Sequence, residues 1–157
     1  MRKIVIYMVL FLATSLMAAE VNWEKDFKSG IAKAEKENKP VLFIFSRHTC
    51  KYCVILDEET LKNKKVAKAL NKDFISIISY SDENDYTPRE LWRPGTPTIW
   101  FLMPNGEPMY QPLMGALGVE DFLHALGIVK TEFDTLEKES KTKAEKTQTK
   151  AKKKETK

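Results

Sequence analysis

Sulfur and imidazole are scarce in this chain of 157 residues: two cysteines, Cys50 and Cys53, and two histidines, His48 and His124. A structural zinc site takes about four nitrogen or sulfur ligands. His48 could join the cysteines as a third, but His124 lies far away in sequence, so no metal is expected. Covalent haem attachment needs a histidine directly after the second cysteine, and Val54 stands there. The first apolar run, residues 4–17, is shorter than the roughly 20 residues of a membrane span. No cysteine follows it, which excludes lipid attachment at that point. There is no internal repeat. There is also no basic face with interleaved aromatics of the kind nucleic-acid binding requires, so no nucleic-acid partner is expected.

The net charge of +4 is unevenly placed. From Lys130 onward ten Lys face six acids, and Arg2 and Lys3 add two positive charges at the front. Residues 20–129 hold 14 basic and 16 acidic side chains and are nearly neutral. Arg2 and Lys3, the apolar run and the small residues Ala18 and Ala19 form the three parts of a secretory signal. Cleavage after Ala18 or after Ala19 is expected, with export to the periplasm; a membrane anchor is the other reading. The expected organisation is a signal peptide over 1–19, one domain over 20–129, and a Lys-rich tail over 130–157. The tail has too little apolar surface to offset ordering entropy and reads as disordered. Contact with an anionic surface is its alternative role.

Periodicity places the elements. Asn22 is a candidate cap for a helix from Trp23, with Phe27, Ile31 and Ala34 on one face. Residues 41–45 are an unbroken apolar run, as in a central strand covered on both faces. From Cys50 the pattern turns helical, and Asn63 caps a continuation through Val66, Ala67 and Leu70. A second strand follows over 74–79, which makes a right-handed parallel crossover. Thr87-Pro88-Arg89-Glu90 predicts a short helix through Leu91 and Trp92. A third strand spans 98–102. Asn105-Gly106 predicts a hairpin, with an edge strand over 108–111. The last helix contains Val119, Phe122, Leu123 and Leu126 and is expected to end at Gly127.

The chemistry lies in Cys50-Lys51-Tyr52-Cys53. A disulfide across two intervening residues closes too small a loop to be a strong staple, which points to redox chemistry. A cysteine at a helix N-terminus faces unpaired N–H groups and the positive end of the dipole, and both favour the thiolate, the attacking species. Cys50 is the expected nucleophile, Lys51 adds favourable charge, and Cys53, one turn in, is the expected resolving thiol. His48 could tune Cys50 or simply be exposed. Tyr86 and Trp92 either cover the core or form a substrate lip, and Trp100 is expected to pack.

With these pieces in place, residues 23–129 resemble the thioredoxin superfamily, and within it the exported thioredoxin-related proteins of bacterial periplasmic thiol and sulfur metabolism. The strand at 41–45, the cysteine pair, Thr96-Pro97-Thr98 before a strand, and Gly115 ahead of the last helix carry the resemblance. It implies an α/β thioredoxin fold, a mixed sheet of about four strands flanked by helices, with Pro97 cis opposite the cysteines. It also implies a thiol:disulfide oxidoreductase without cofactor, acting as a monomer on protein thiols and disulfides and recharged by a membrane electron donor. Alternatives are a disulfide isomerase, or a binding module or chaperone with little redox role. Four positions depart from thioredoxins: Ile44 replaces a buried acid, Thr49 replaces the Trp before the first cysteine, and Lys51-Tyr52 replaces Gly-Pro. Tyr52, with Thr96 before the proline, is more like the periplasmic isomerases. The Ile44 and Lys51 changes favour the thiolate, so a potential between about −270 and −120 mV is expected.

Overall fold

Six consecutive residues with no exposed side chain, VLFIFS, can only be the middle of a sheet. In the computed structural model, which describes residues 20–155 and their side chains as far as Lys143, they form strand β1, Val41–Ser46. β1 pairs in parallel with β2, Ile75–Tyr80, and antiparallel with β3, Thr98–Leu102. β3 pairs antiparallel with a two-residue β4, Leu113–Met114, giving the order β2-β1-β3-β4. This is the expected mixed four-stranded α/β sheet. The proposed signal segment, residues 1–19, lies outside the described residues. Among the described residues no helix is long and apolar enough to cross a membrane.

Strand alternation divides the core in two. Leu42 and Ile44 point to one face, with Leu56, Val66, Leu70, Phe122 and Leu126. Val41, Phe43 and Phe45 point to the other, with Ala34, Ile77, Leu91 and Trp100. Burial of a Leu- or Phe-sized side chain contributes about 1.5–3 kcal/mol, so these two layers carry most of the folding free energy.

The first helix, α1, spans Phe27–Glu37. Asn22 is not its cap. Asp26 accepts from the Ser29 N–H at 2.7 Å while Ser29 Oγ accepts from the Asp26 N–H at 3.2 Å, a reciprocal box. Trp23 instead bridges to Ser76 at the sheet edge, and the Asn22 N–H donates to Asn71 Oδ1. Gly30 lets α1 lie directly on β2: a Cβ there would collide with Ile77.

Helix α2, Lys51–Ile55, runs into a widened turn, Leu56–Leu61, in which the Lys62 N–H reaches back five residues to the Asp57 carbonyl. Asn63 then caps α3, Lys64–Asp73, as expected, through the Lys65 N–H. The predicted helix through Leu91 and Trp92 is only a turn, closed by the Leu91 and Trp92 N–H groups on the Pro88 carbonyl. The chain is held there by Trp100, whose indole donates to the Leu91 carbonyl at 2.9 Å. The edge strand expected at 108–111 reduces to one bridge, Leu102 to Pro108, and pairing resumes at β4.

One correction concerns the last helix. Helix α4 spans Val119–Glu155 and does not stop at Gly127. Val129 and Phe133 continue the buried face of Phe122 and Leu126. Pairs at i,i+4, Lys130–Asp134 and Glu137–Lys141, support the polar side. Glu137 also accepts from the Asn38 side chain at the end of α1.

Candidate active site

β1 ends at Ser46, and the polar loop after it delivers Cys50 to the N-cap of α2. Cys50 has extended backbone (φ −89°, ψ 120°), and its Sγ lies 3.4 Å from the Cys53 N–H, where it accepts as a capping group. Across the site its thiol donates to the Thr96 carbonyl at 3.3 Å. The Thr96–Pro97 peptide is cis, and Pro97 is buried. The Gly115 N–H holds the Pro97 carbonyl at 2.9 Å from a φ of +88°, a conformation that favours glycine. Both thiols are free; Cys50 is partly exposed and Cys53 is buried.

The two thiols are pushed in opposite directions. For Cys50, partial burial opposes ionisation. Hydrogen bonds from the Cys53 thiol, the Thr96 side chain and the Cys53 and Tyr52 N–H groups outweigh it, and its pKa falls below the ordinary thiol value. For Cys53, burial comes first and raises the pKa, and donation to Cys50 raises it further by keeping the proton in place. The pair therefore shares one easily lost proton, which leaves chiefly from Cys50.

Of the sequence-predicted residues, Cys50, Cys53, Thr96 and Pro97 come together. Lys51 and Tyr52 flank the cysteines but point outward, with Tyr52 59% exposed. His48 is engaged by the loop after β2, although it shares a cavity wall with Cys53. Its Nδ1 lies 3.2 Å from Asp82 Oδ1, its Nε2 3.7 Å from Glu83, and its ring stacks on Tyr80 at 3.9 Å. His124 is exposed on α4, and among the described residues no group of three or more His, Cys, Asp or Glu is placed to hold a metal. Tyr86 and Trp92 are both exposed, and Tyr86 meets Phe27 edge-on.

Sequence reasoning missed the support behind the cysteines. Because β1 and β2 are parallel, Ser46 sits beside Tyr80, and the loops leaving both strands emerge at the same edge. The Asp82 carboxylate takes the His48 N–H at 3.0 Å, and Ser81 accepts from Arg47 Nε at 3.2 Å, so the second loop braces the first. Below them is a cavity of about 210 Å³ that includes Ile44, Cys53, Asp57 and Tyr80 in its wall. Tyr80 sits there with its pKa raised by burial first, then by the charges of Asp57 and Glu83. The signal for this cluster was the parallel crossover itself.

A family profile described as a thioredoxin-like domain matches residues 27–130. The chain is 32% identical over 63 residues to spermatogenesis-associated protein 20 of Rattus norvegicus, covering 40% of this chain and 8% of that protein. It is 28% identical over 81 residues to anterior gradient protein 3 of Mus musculus, covering 46% and 49% respectively. It thus spans at most about half the length of these relatives. Among solved structures, a thioredoxin from Thermus thermophilus aligns with a TM-score of 0.59 at 25% identity, covering 72% of this chain and 88% of that one. The DsbH oxidoreductase aligns at 0.62 and 13% identity, covering 76% and 90%, a likeness of fold alone.

Proposed function

The chain belongs to the thioredoxin-like domain family, and from that premise we propose that it is a periplasmic thiol:disulfide oxidoreductase that reduces disulfides of exported proteins or sulfur-metabolism partners. The observation that carries the reading is the asymmetry of the cysteine pair: Cys50 is partly exposed with its thiolate favoured, and Cys53 is buried with its proton held. Cys50 attacks a substrate disulfide and forms a mixed disulfide. Cys53 then attacks Cys50 Sγ, closes the Cys50–Cys53 disulfide and releases the substrate as a thiol. The electron pair lost by the two thiols reduces the substrate. Pro97 and the Thr96 carbonyl form the wall against which the substrate chain lies beside Cys50.

The charged n-region and apolar run of residues 1–19 support export. In an oxidising compartment the closed disulfide needs a source of electrons, for which a membrane thiol donor is the simplest candidate. The protein acts as a monomer, without cofactor.

Trapping tests the reading. Cys53→Ser should accumulate mixed disulfides with partner proteins in host extracts, and Cys50→Ser should not. Equal trapping by both variants, or the reverse pattern, would overturn the assignment. N-terminal sequencing of protein from the native host should begin at Ala19 or Glu20; an intact Met1 in a membrane fraction would favour an anchor.

A further inference from the structure

Resolution of the mixed disulfide requires Cys53 to give up a proton from a buried position. Behind it β1 presents Ile44, which is wholly buried and can accept nothing. The acceptor must come from another wall of the adjoining cavity, whose titratable and charged groups besides Cys53 are Arg47, His48, Asp57, Glu58 and Tyr80. Arg47 carries its proton throughout. The Tyr80 phenol is held protonated by burial and by the surrounding acids. Both ring nitrogens of His48 are directed at Asp82 and Glu83 on the loop after β2. Glu58 is taken by Lys62, whose Nζ lies 2.6 Å from its Oε1.

Asp57 is different. It stands four residues after Cys53, at the start of the widened turn, and lines the same cavity as Cys53. The same Lys62 ammonium pairs with it more loosely, at 3.8 Å from its Oδ2 against 2.6 Å for Glu58. The cavity between them is large enough for bridging water, with polar walls to hold it. We infer that Asp57 is the carboxylate that receives the Cys53 proton as Cys53 attacks the mixed disulfide.

This rests on the oxidoreductase reading above and adds one proton transfer to it. In the first step the Cys50 thiolate joins one sulfur of the substrate disulfide and expels the other as a thiolate. Cys50 is then no longer an anion that holds the Cys53 proton, so the second of the two causes that keep Cys53 protonated disappears. The Cys53 proton passes through water to the Asp57 carboxylate while Cys53 sulfur bonds to Cys50 Sγ. The bond from Cys50 to the substrate breaks, and the substrate sulfur leaves with the electron pair and takes up a proton from solvent.

The probe is glutathione disulfide, mixed in a single turnover with the reduced protein. The first glutathione released reports attack by Cys50, and the second reports attack by Cys53. A positioned base is typically worth about 10²–10⁴-fold; Asp57 is 46% exposed, and Asp57→Asn is expected to slow the second release about tenfold. The remaining rate should rise in proportion to hydroxide across the neutral range, and added acetate should restore part of it. The first release should stay within twofold. Asp57→Glu should keep most of the rate, and Glu58→Gln should match the parent protein. An unchanged second release in Asp57→Asn, equal slowing of both releases, or equal slowing by Glu58→Gln would overturn the assignment while leaving the function intact. If the parent protein releases no glutathione at all, the oxidoreductase reading fails and this assignment with it.

Discussion

Cys50 Sγ lies 3.3 Å from the carbonyl oxygen of Thr96, a residue 46 positions further along the chain. This contact joins the start of α2 to the loop before β3, and it places a backbone acceptor and Pro97 beside the thiol. The closure builds the wall beside the thiol, and the capping geometry of α2, with the Cys53 N–H donating to Cys50 Sγ, favours its thiolate.

The first prediction concerns pH. Lowering of the Cys50 pKa means that its thiolate is present at pH values where a free thiol, with pKa about 8.5, is still protonated. The rate of iodoacetamide alkylation should rise with pH through a midpoint below that of free cysteine measured alongside, and plateau above it. Cys53, raised chiefly by burial, should alkylate only at higher pH. In Cys50→Ser the burial remains, so Cys53 should stay slow; fast labelling of Cys53 at neutral pH would contradict the assigned asymmetry.

The second concerns redox poise. Ile44 is wholly buried and leaves no negative charge in β1 behind Cys53. Equilibration of the pair against glutathione should give a potential between about −270 and −120 mV. Lys51 is exposed, so solvent screens its charge, and Lys51→Gln should move the potential by less than about 30 mV, or ~1.4 kcal/mol. A potential below that of thioredoxin would show that the apolar strand does not favour the reduced form.

The third concerns α4. Phe133 is 3% exposed and continues the buried face of the helix. Phe133→Ala should cost about 3 kcal/mol, measured by urea unfolding. A chain ending after Val129 loses Phe133 and the Glu137–Asn38 hydrogen bond and should melt about 10 °C lower. A chain ending after Lys143 keeps both and should melt as the full chain does. Equal melting of the two truncated chains would show that the extension does not contribute.

The fourth concerns the seat of α1 on the sheet. Gly30→Ala introduces a methyl group that collides with Ile77 in a filled core. The expected cost is about 1–3 kcal/mol of stability, with no change in Cys50 alkylation, because the contact lies on the face away from α2. A neutral substitution would mean that α1 lifts from β2 without penalty.

What the sequence determined by itself is what short-range physics sets. The apolar run at 41–45, the β-branched run in β2 and the 98–102 strand declared themselves by composition, and Asn63 declared α3 by its cap. The Cys50–Cys53 spacing after a buried strand pointed to the thiolate site before any contact was known. Other features required the folded chain. Asp26, not Asn22, caps α1, because the sheet edge captures Trp23 and moves the helix start. The turn at Leu91 stays a turn because Trp100 binds its carbonyl. Gly127 does not end α4, because Phe122, Leu126, Val129 and Phe133 find a common surface, and burial there outweighs a glycine's weak helix propensity. Tyr80 comes to the cavity behind Cys53, and Asp82 to the loop before Cys50, because a parallel pair of strands brings two loops to one edge. That juxtaposition depends on strand order, which local patterns do not encode.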